Sequence, residues 1–283
     1  MYFKSRKTQI SKNKFINLIV KTTYANIYKK PTFKSELITQ ALIWDKLNVI
    51  KSLDNWYKIK HWDGYIGWIN KFYIAKINKK KMDFFIVPYN SIKIYECQKK
   101  KRIVTHLLFG SCMPLKSHLK KFHELLMPDG KAGYVTKCIN YNGEKNIREK
   151  IIDKSMLFLG VPYLWGGSSA YGFDCSGFVQ SIFKYFGFEL ERDTSLQVKN
   201  KYLKQIESSD SKKGDLIYFL INDIVNHVGI IINNTKIIHS SGNVLIENIH
   251  DVIDRLKFKN DCKISIEFYS VEKLINSRVN YER

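Results

Sequence analysis

The chain has 283 residues, 45% apolar and 14% aromatic, enough to bury the cores of two or three small domains and too apolar for a disordered polymer. Its formal charge of +21 would ordinarily point to nucleic acid or an anionic surface. Only seven of the 47 basic residues are arginine, however, and no basic run is interleaved with a base-reading motif, so a lysine-rich surface encoded by an A+T-rich genome is the simpler reading and no nucleic-acid partner is expected.

Residues 1–13 read as an N-terminal tail, and Phe15–Val20 as the first strand of a domain. The latter is too short and too interrupted for a signal segment, and no small-residue cleavage site follows it. No segment approaches the ~18 apolar residues that span a bilayer. Five cysteines (Cys97, Cys112, Cys138, Cys175, Cys262), odd in number and without CxxC spacing, suit neither a disulfide framework nor a zinc site; they fit a reducing compartment. A cytoplasmic location is the expectation.

An internal repeat fills the N-terminal half. Ile38–Ile43 returns as Val104–Phe109, Trp56-Tyr57 as Phe122-His123, and Asp63–Ile69 as Asp129–Val135, each offset by 66 residues. That period suits a duplicated small domain rather than a solenoid unit. Short alternating apolar runs between Asp-Asn, Asp-Gly and Lys-rich turns predict two small all-β barrels, at 14–76 and, more divergent, 80–140. At the same offset Glu36 corresponds to Arg102 and Tyr65 to Lys131. The first copy thus holds a carboxylate and a phenol where the second holds two cations. Such a pair suits a ligand ammonium group, and drift of exposed charges is the plain alternative.

A polar linker with Asn-Gly (139–146) precedes a third domain, 145–283, whose first element is an amphipathic helix from Arg148 to Leu159 stopped at Gly160. The glycine-rich, aromatic loop from Pro162 leads into Asp174-Cys175-Ser176-Gly177 and then a buried helix through Phe186 with Gly187 as its cap. Cys175 therefore stands at a helix N-terminus, where N–H groups and the macrodipole are expected to lower its thiol pKa. Strands after Gly214 form a hairpin around Asn233-Asn234, with His227 starting one strand and His239 ending the next. In an antiparallel pair those positions are neighbours, which offers a base and an orienting group for a thiol nucleophile.

These motifs carry a resemblance. Pro162-Tyr-x-Trp-Gly-Gly, Phe173-Asp-Cys-Ser-Gly, Arg192-Asp-Thr-Ser-x-Gln197, Gly214-Asp-Leu, His227-Val-Gly-Ile and Ile238-His-Ser-Ser-Gly resemble, in order and spacing, the signature series of NlpC/P60 cysteine peptidases. The first repeat resembles a bacterial SH3-like (SH3b) domain. The resemblance implies an α+β papain-like catalytic domain behind two SH3b barrels, with Cys175 as nucleophile, His227 as base and His239 as its orienter. It further implies Tyr163 as an oxyanion donor. Substrate contacts are implied at Trp165, Ser176, Arg192, Asp193 and Thr194, the last three toward a D-glutamyl carboxylate. Glu191 stands where the family more often has proline.

Two SH3b domains before an NlpC/P60 domain look like the γ-D-glutamyl-L-diamino acid endopeptidases, which act on free muropeptides during wall recycling. In that group Glu36, Tyr65 and Asp174 would bind the amine of an N-terminal L-alanine. The expected protein is a monomer needing no metal or organic cofactor. The alternative is a secreted hydrolase of intact peptidoglycan with SH3b domains as wall-binding modules. Diaminopimelate and lysine remain equally open at the diamino acid. His61, His106, His118, His123 and His250 lack motif context and are read as structural or surface residues.

Overall fold

Alternation of buried and exposed residues builds three units in succession. The computed structural model describes residues 18–77, 82–137, 146–260 and 263–277. The N-terminal tail, most of the 139–146 linker, Cys138 and Cys262 lie outside them.

The first unit has strands β1 (Leu18–Val20), β2 (Tyr24–Tyr28), β3 (Leu37–Leu42), β4 (Lys46–Leu53), β5 (Trp56–Lys60), β6 (Ile66–Asn70) and β7 (Ile74–Lys76), ordered β3-β2-β6-β5-β4-β1-β7. In β2 the period of two sends Ala25 and Ile27 inward, where they meet Leu18, Leu47, Ile59 and Ile69. The second unit has β8 (Asp83–Ile86), β9 (Ser91–Tyr95), β10 (Ile103–Leu108), β11 (Cys112–His118), β12 (Phe122–Leu126) and β13 (Ala132–Thr136). Its order, β10-β9-β13-β12-β11-β8, repeats that of the first unit without β7.

The turn after the third strand of each repeat belongs to its neighbour's core. Ile43, at the end of β3, is buried among Val87, Leu107, Met113 and Val135 of the second unit, and Trp44 donates its indole N–H to the Leu126 carbonyl at 2.9 Å. One repeat later, Phe109 is buried against Phe158 and Tyr185 of the third unit, with ring centroids 5.0 and 4.8 Å apart. Trp44 and Gly110 are equivalent by the offset and share a left-handed backbone, φ 69° and 76°.

The third unit runs α1 (Ile147–Met156), β14 (Ser168–Ser169), β15 (Gly172–Phe173), α2 (Cys175–Tyr185), α3 (Thr194–Gln197), β16 (Lys204–Ile206), β17 (Leu216–Ile221), β18 (Ile224–Ile231), β19 (Lys236–Ser241), β20 (Asn243–Asn248), α4 (Ile249–Asn260), β21 (Ile264–Ser270) and α5 (Glu272–Asn276). Asn146 and Glu149 form a capping box that starts α1. That helix ends three residues short of the predicted Leu159, in turns closed by Gly160 at φ 83°.

An antiparallel sheet, β16-β21-β17-β18-β19-β20, is apolar on both faces. Leu216, Tyr218, Val228, Ile230 and Ile238 face α2, whose Phe178, Ile182 and Phe183 are fully buried. Each such side chain contributes about 1.5–3 kcal/mol. Ile217, Phe219, Ile231 and Ile237 face α4. Helices packed on an antiparallel sheet give the α+β class that the sequence implied. The sheet clamps the start of α2 against the start of β18, where the chemistry-bearing residues collect.

Candidate active site

The loop before α2 is folded around one carboxylate. Asp174 is the N-cap, taking the Gly177 N–H at 2.6 Å and the Gly166 N–H at 3.0 Å. Gly177 must be glycine, since a Cβ there would strike the Gly167 carbonyl. Cys175 follows as the first helical residue, and its sulfur faces the backbone N–H groups of Val228 and Ser176.

The thiol does not behave as the helix N-terminus alone predicts. Its pKa is pushed up to about 12, by burial first and then by the neighbouring Asp174 charge. The two N–H groups and Arg192 offset only part of this. At rest Cys175 is a protonated thiol, because desolvating the thiolate outweighs the dipole.

His227 sits directly before Val228, so the residue that touches the sulfur is its chain neighbour. Its Nε2 meets His239 Nδ1 at 2.7 Å, and both rings are buried. Burial chiefly lowers each imidazole to about 3, with His239 and Arg255 adding to the effect on His227 and Arg255 to that on His239. Both are neutral at physiological pH.

The chain of contacts continues. His239 Nε2 lies 2.9 Å from Glu247 Oε2 on β20, and Arg255 of α4 donates to that carboxylate at 2.7 and 3.3 Å and to Ser241 Oγ at 3.0 Å. Neither Glu247 nor Arg255 stands out in the sequence. The signal lies in the turn at Gly242, φ 78°, which sets a register pairing Ile237 with Glu247 and so brings the carboxylate beside His239.

Tyr163 is half-buried and its phenol is raised, by burial and then by the Cys175 and Asp174 charges, which puts the ring within electrostatic reach of the sulfur.

The first β-unit forms one wall. Gly166, φ 72°, lies against the Leu37 carbonyl with no room for a side chain. Ser168 exchanges hydrogen bonds of 3.1–3.2 Å with Gln40. Exposed Trp165 donates its indole N–H to Glu36 Oε1 at 3.2 Å, and Lys29 holds Oε2 at 2.8 Å. These contacts, Lys29 first, lower the Glu36 carboxyl. Tyr65 donates to Asp193 Oδ1 at 3.2 Å, its phenol raised to about 12 by burial and that carboxylate.

Arg192 is placed differently from expectation. Rather than facing a substrate carboxylate, its side chain is 2% exposed and donates to Asp174 at 2.9 and 2.5 Å, to Ser176 Oγ at 3.0 Å and to Thr39 Oγ1 at 3.1 Å. A buried carboxylate needs a paired cation, and Asp174 takes this one. The anticipated trio of Glu36, Tyr65 and Asp174 therefore has three different partners: Lys29 with Trp165, Asp193, and Arg192. Asp193 and Thr194 begin α3, with no side-chain cap on the former.

The repeat comparison also gains a physical reading. Lys29 and Glu36 are joined by a backbone bond and an ion pair, and Glu96 and Arg102 are joined in the same way in the second unit with the signs exchanged. The charge difference between repeats is thus an inverted loop pair. What sets Glu36 apart is its contact with Trp165.

Residues 160–257 match the NlpC/P60 family and residues 23–75 the bacterial SH3 domain. A gamma-D-glutamyl-L-lysine dipeptidyl-peptidase of Bacillus subtilis (strain 168) is 30% identical over 216 residues, covering 71% of this chain and 71% of the relative. Its namesake from Bacillus cereus is 28% identical over 233 residues, 74% of this chain and 68% of the relative. A crystal structure of an NlpC/P60 family protein from Bacillus cereus shares the fold, with a TM-score of 0.72 over 82% of this chain and 94% of that one at 23% identity. With an SH3-type β-unit ahead of a thiol and two hydrogen-bonded imidazoles on an α+β scaffold, the chain belongs to the NlpC/P60 family of peptidases.

Proposed function

We propose that the protein is a cysteine endopeptidase that cuts the γ-D-glutamyl–diamino acid bond of short cell-wall peptides with a free N-terminal L-alanine, and that it serves peptidoglycan recycling in the cytoplasm. The observation that carries this reading is the wall beside the nucleophile loop, where Glu36 of the first β-unit meets Trp165. A carboxylate on the wall beside the Cys175 loop suits a substrate ammonium, which would replace Lys29 as its partner. The names of the two Bacillus relatives support the same bond class.

In this reading His227 accepts the Cys175 proton as the sulfur attacks the γ-glutamyl carbonyl, so deprotonation is coupled to attack and no free thiolate accumulates. The oxyanion is met by the Cys175 N–H at the α2 terminus and by the Tyr163 hydroxyl. His227 then protonates the leaving amine of the diamino acid. Water, deprotonated by the same imidazole, hydrolyses the thioester and regenerates the thiol.

The test is a comparison of L-Ala-γ-D-Glu-L-Lys and L-Ala-γ-D-Glu-diaminopimelate with their N-acetylated forms and with insoluble sacculi. N-acetylation is expected to lower kcat/KM at least about a hundredfold, ~2.7 kcal/mol, because an amide cannot take the place of Lys29 at the Glu36 carboxylate and the charge-assisted contact is lost. Glu36→Gln should weaken use of the free peptides, and Arg102→Gln should not. Equal cleavage of free and acetylated peptides, or efficient cleavage of sacculi, would replace this reading with a hydrolase of intact wall. Recovery of the protein outside the cytoplasm on cell fractionation would remove the recycling role.

A further inference from the structure

The two histidines are buried and neutral, so what each ring nitrogen does depends on where its single proton sits. Geometry fixes that from one end. A carboxylate offers only acceptors, so the 2.9 Å contact between Glu247 and His239 requires the proton on His239 Nε2. The neutral ring then has a bare Nδ1, and the 2.7 Å contact to His227 must be donated by His227 Nε2–H. This leaves the lone pair of His227 on Nδ1, the one nitrogen of that ring that can then accept a proton.

Glu247 is itself fixed on two sides by the Arg255 guanidinium, whose third bond reaches Ser241, two residues beyond His239. Four groups from four elements, β18, β19, β20 and α4, thus form one directed series. We infer that Glu247, clamped by Arg255, is the positioning residue that sets the proton arrangement of both histidines and makes His227 Nδ1 the base.

Glu247 acts through His239 and touches no reacting atom. When His227 takes the thiol proton, its Nε2–H and the His239 Nε2–H both point toward the carboxylate, which stabilises the new charge. The charged groups that act on the pair are Glu247 from β20 and Arg255 from α4, while Tyr163, Asp174 and Arg192 stand around the Cys175 sulfur. Of these, Arg255 opposes protonation of His227 and Glu247 favours it. The inference rests on the thiol-peptidase reading of this site, and its first test needs no substrate.

In the free, full-length protein, imidazole 15N NMR should show His227 and His239 both protonated at Nε2 and bare at Nδ1. A His239 ring protonated at Nδ1 would overturn the inference whichever peptide is the substrate. Glu247→Gln is nearly isosteric, but its amide can present N–H₂ to His239 and reverse every bond in the series. It should give mixed ring states and lower kcat about tenfold or more, with KM changed less than about twofold.

The pH profile separates positioning from mere support. The acid limb of kcat/KM should move down in Glu247→Gln and up in Arg255→Met, since the two remove charges of opposite sign. Asp251→Asn, on the same helix but bonded to Asn248, should change neither. Shifts in the same direction, or unchanged kcat and ring states in Glu247→Gln, would end the series at His239 and reduce Glu247 and Arg255 to a structural staple.

Discussion

A buried, protonated thiol asks more of its base than an ionised one does. With the Cys175 pKa near 12, the reactive form grows as pH rises toward that value. Alkylation of Cys175 by iodoacetamide, followed by mass spectrometry of its peptide, should accelerate about tenfold per pH unit between pH 7 and 10 without a plateau. A plateau below pH 8 would mean a stable thiolate at rest. The sequence singled out Cys175 because Asp-Cys-Ser-Gly before an apolar run is a local pattern. It misjudged the proton because burial comes from the packing of the folded unit, in which Val228 on β18, 53 residues later, closes over the sulfur. Arg192 was misplaced for the same reason: its partner, Asp174, lies 18 residues earlier, and only the folded loop brings them together.

At the level of elements, period-two alternation and the 66-residue repeat made both β-units readable, and the hairpin signal placed the two histidines side by side. The register that adds Glu247 depends on how the Gly242 turn is built, which composition does not determine. The repeat also concealed something. Ile43 and Phe109 look like shared framework of two barrels, yet each is a plug in the following unit. Trp44 shows what this requires, for a bulky residue in a left-handed backbone is strained by roughly 1–2 kcal/mol. Both Trp44→Ala and Trp44→Gly delete the indole and its bond to Leu126, but only glycine relieves the backbone. Trp44→Gly should therefore be the more stable of the two by about 1 kcal/mol, measured by urea unfolding. The ordinary order, alanine above glycine, would show that the left-handed turn does not persist in solution.

Across the whole molecule, the first and third units are joined by buried charge. His61 lies 3.4 Å from Asp45 and 3.5 Å from Asp63, Lys184 of α2 pairs with Asp45 at 3.3 Å, and Gln180 of α2 donates to Asp63 at 3.1 Å. Burial alone would lower the His61 pKa, but the two carboxylates outweigh it and the net shift is upward. A raised histidine contributes stability that is complete below its unfolded value of about 6.5 and lost as pH climbs through the folded value. The Tm difference between the wild type and His61→Gln should thus be largest near pH 6 and shrink toward pH 8.5; a difference that grows with pH would contradict the assignment. The second unit touches both others, through Thr23 with Thr105 on one side and Asn90 with Leu157 on the other. Three bodies pinned pairwise form a closed triangle, in which each contact is braced by the other two. The spacing between Glu36 and the Cys175 loop is then set by all three sides of that truss together, so a loosened contact on the far side of the second unit would be felt where Glu36 meets Trp165.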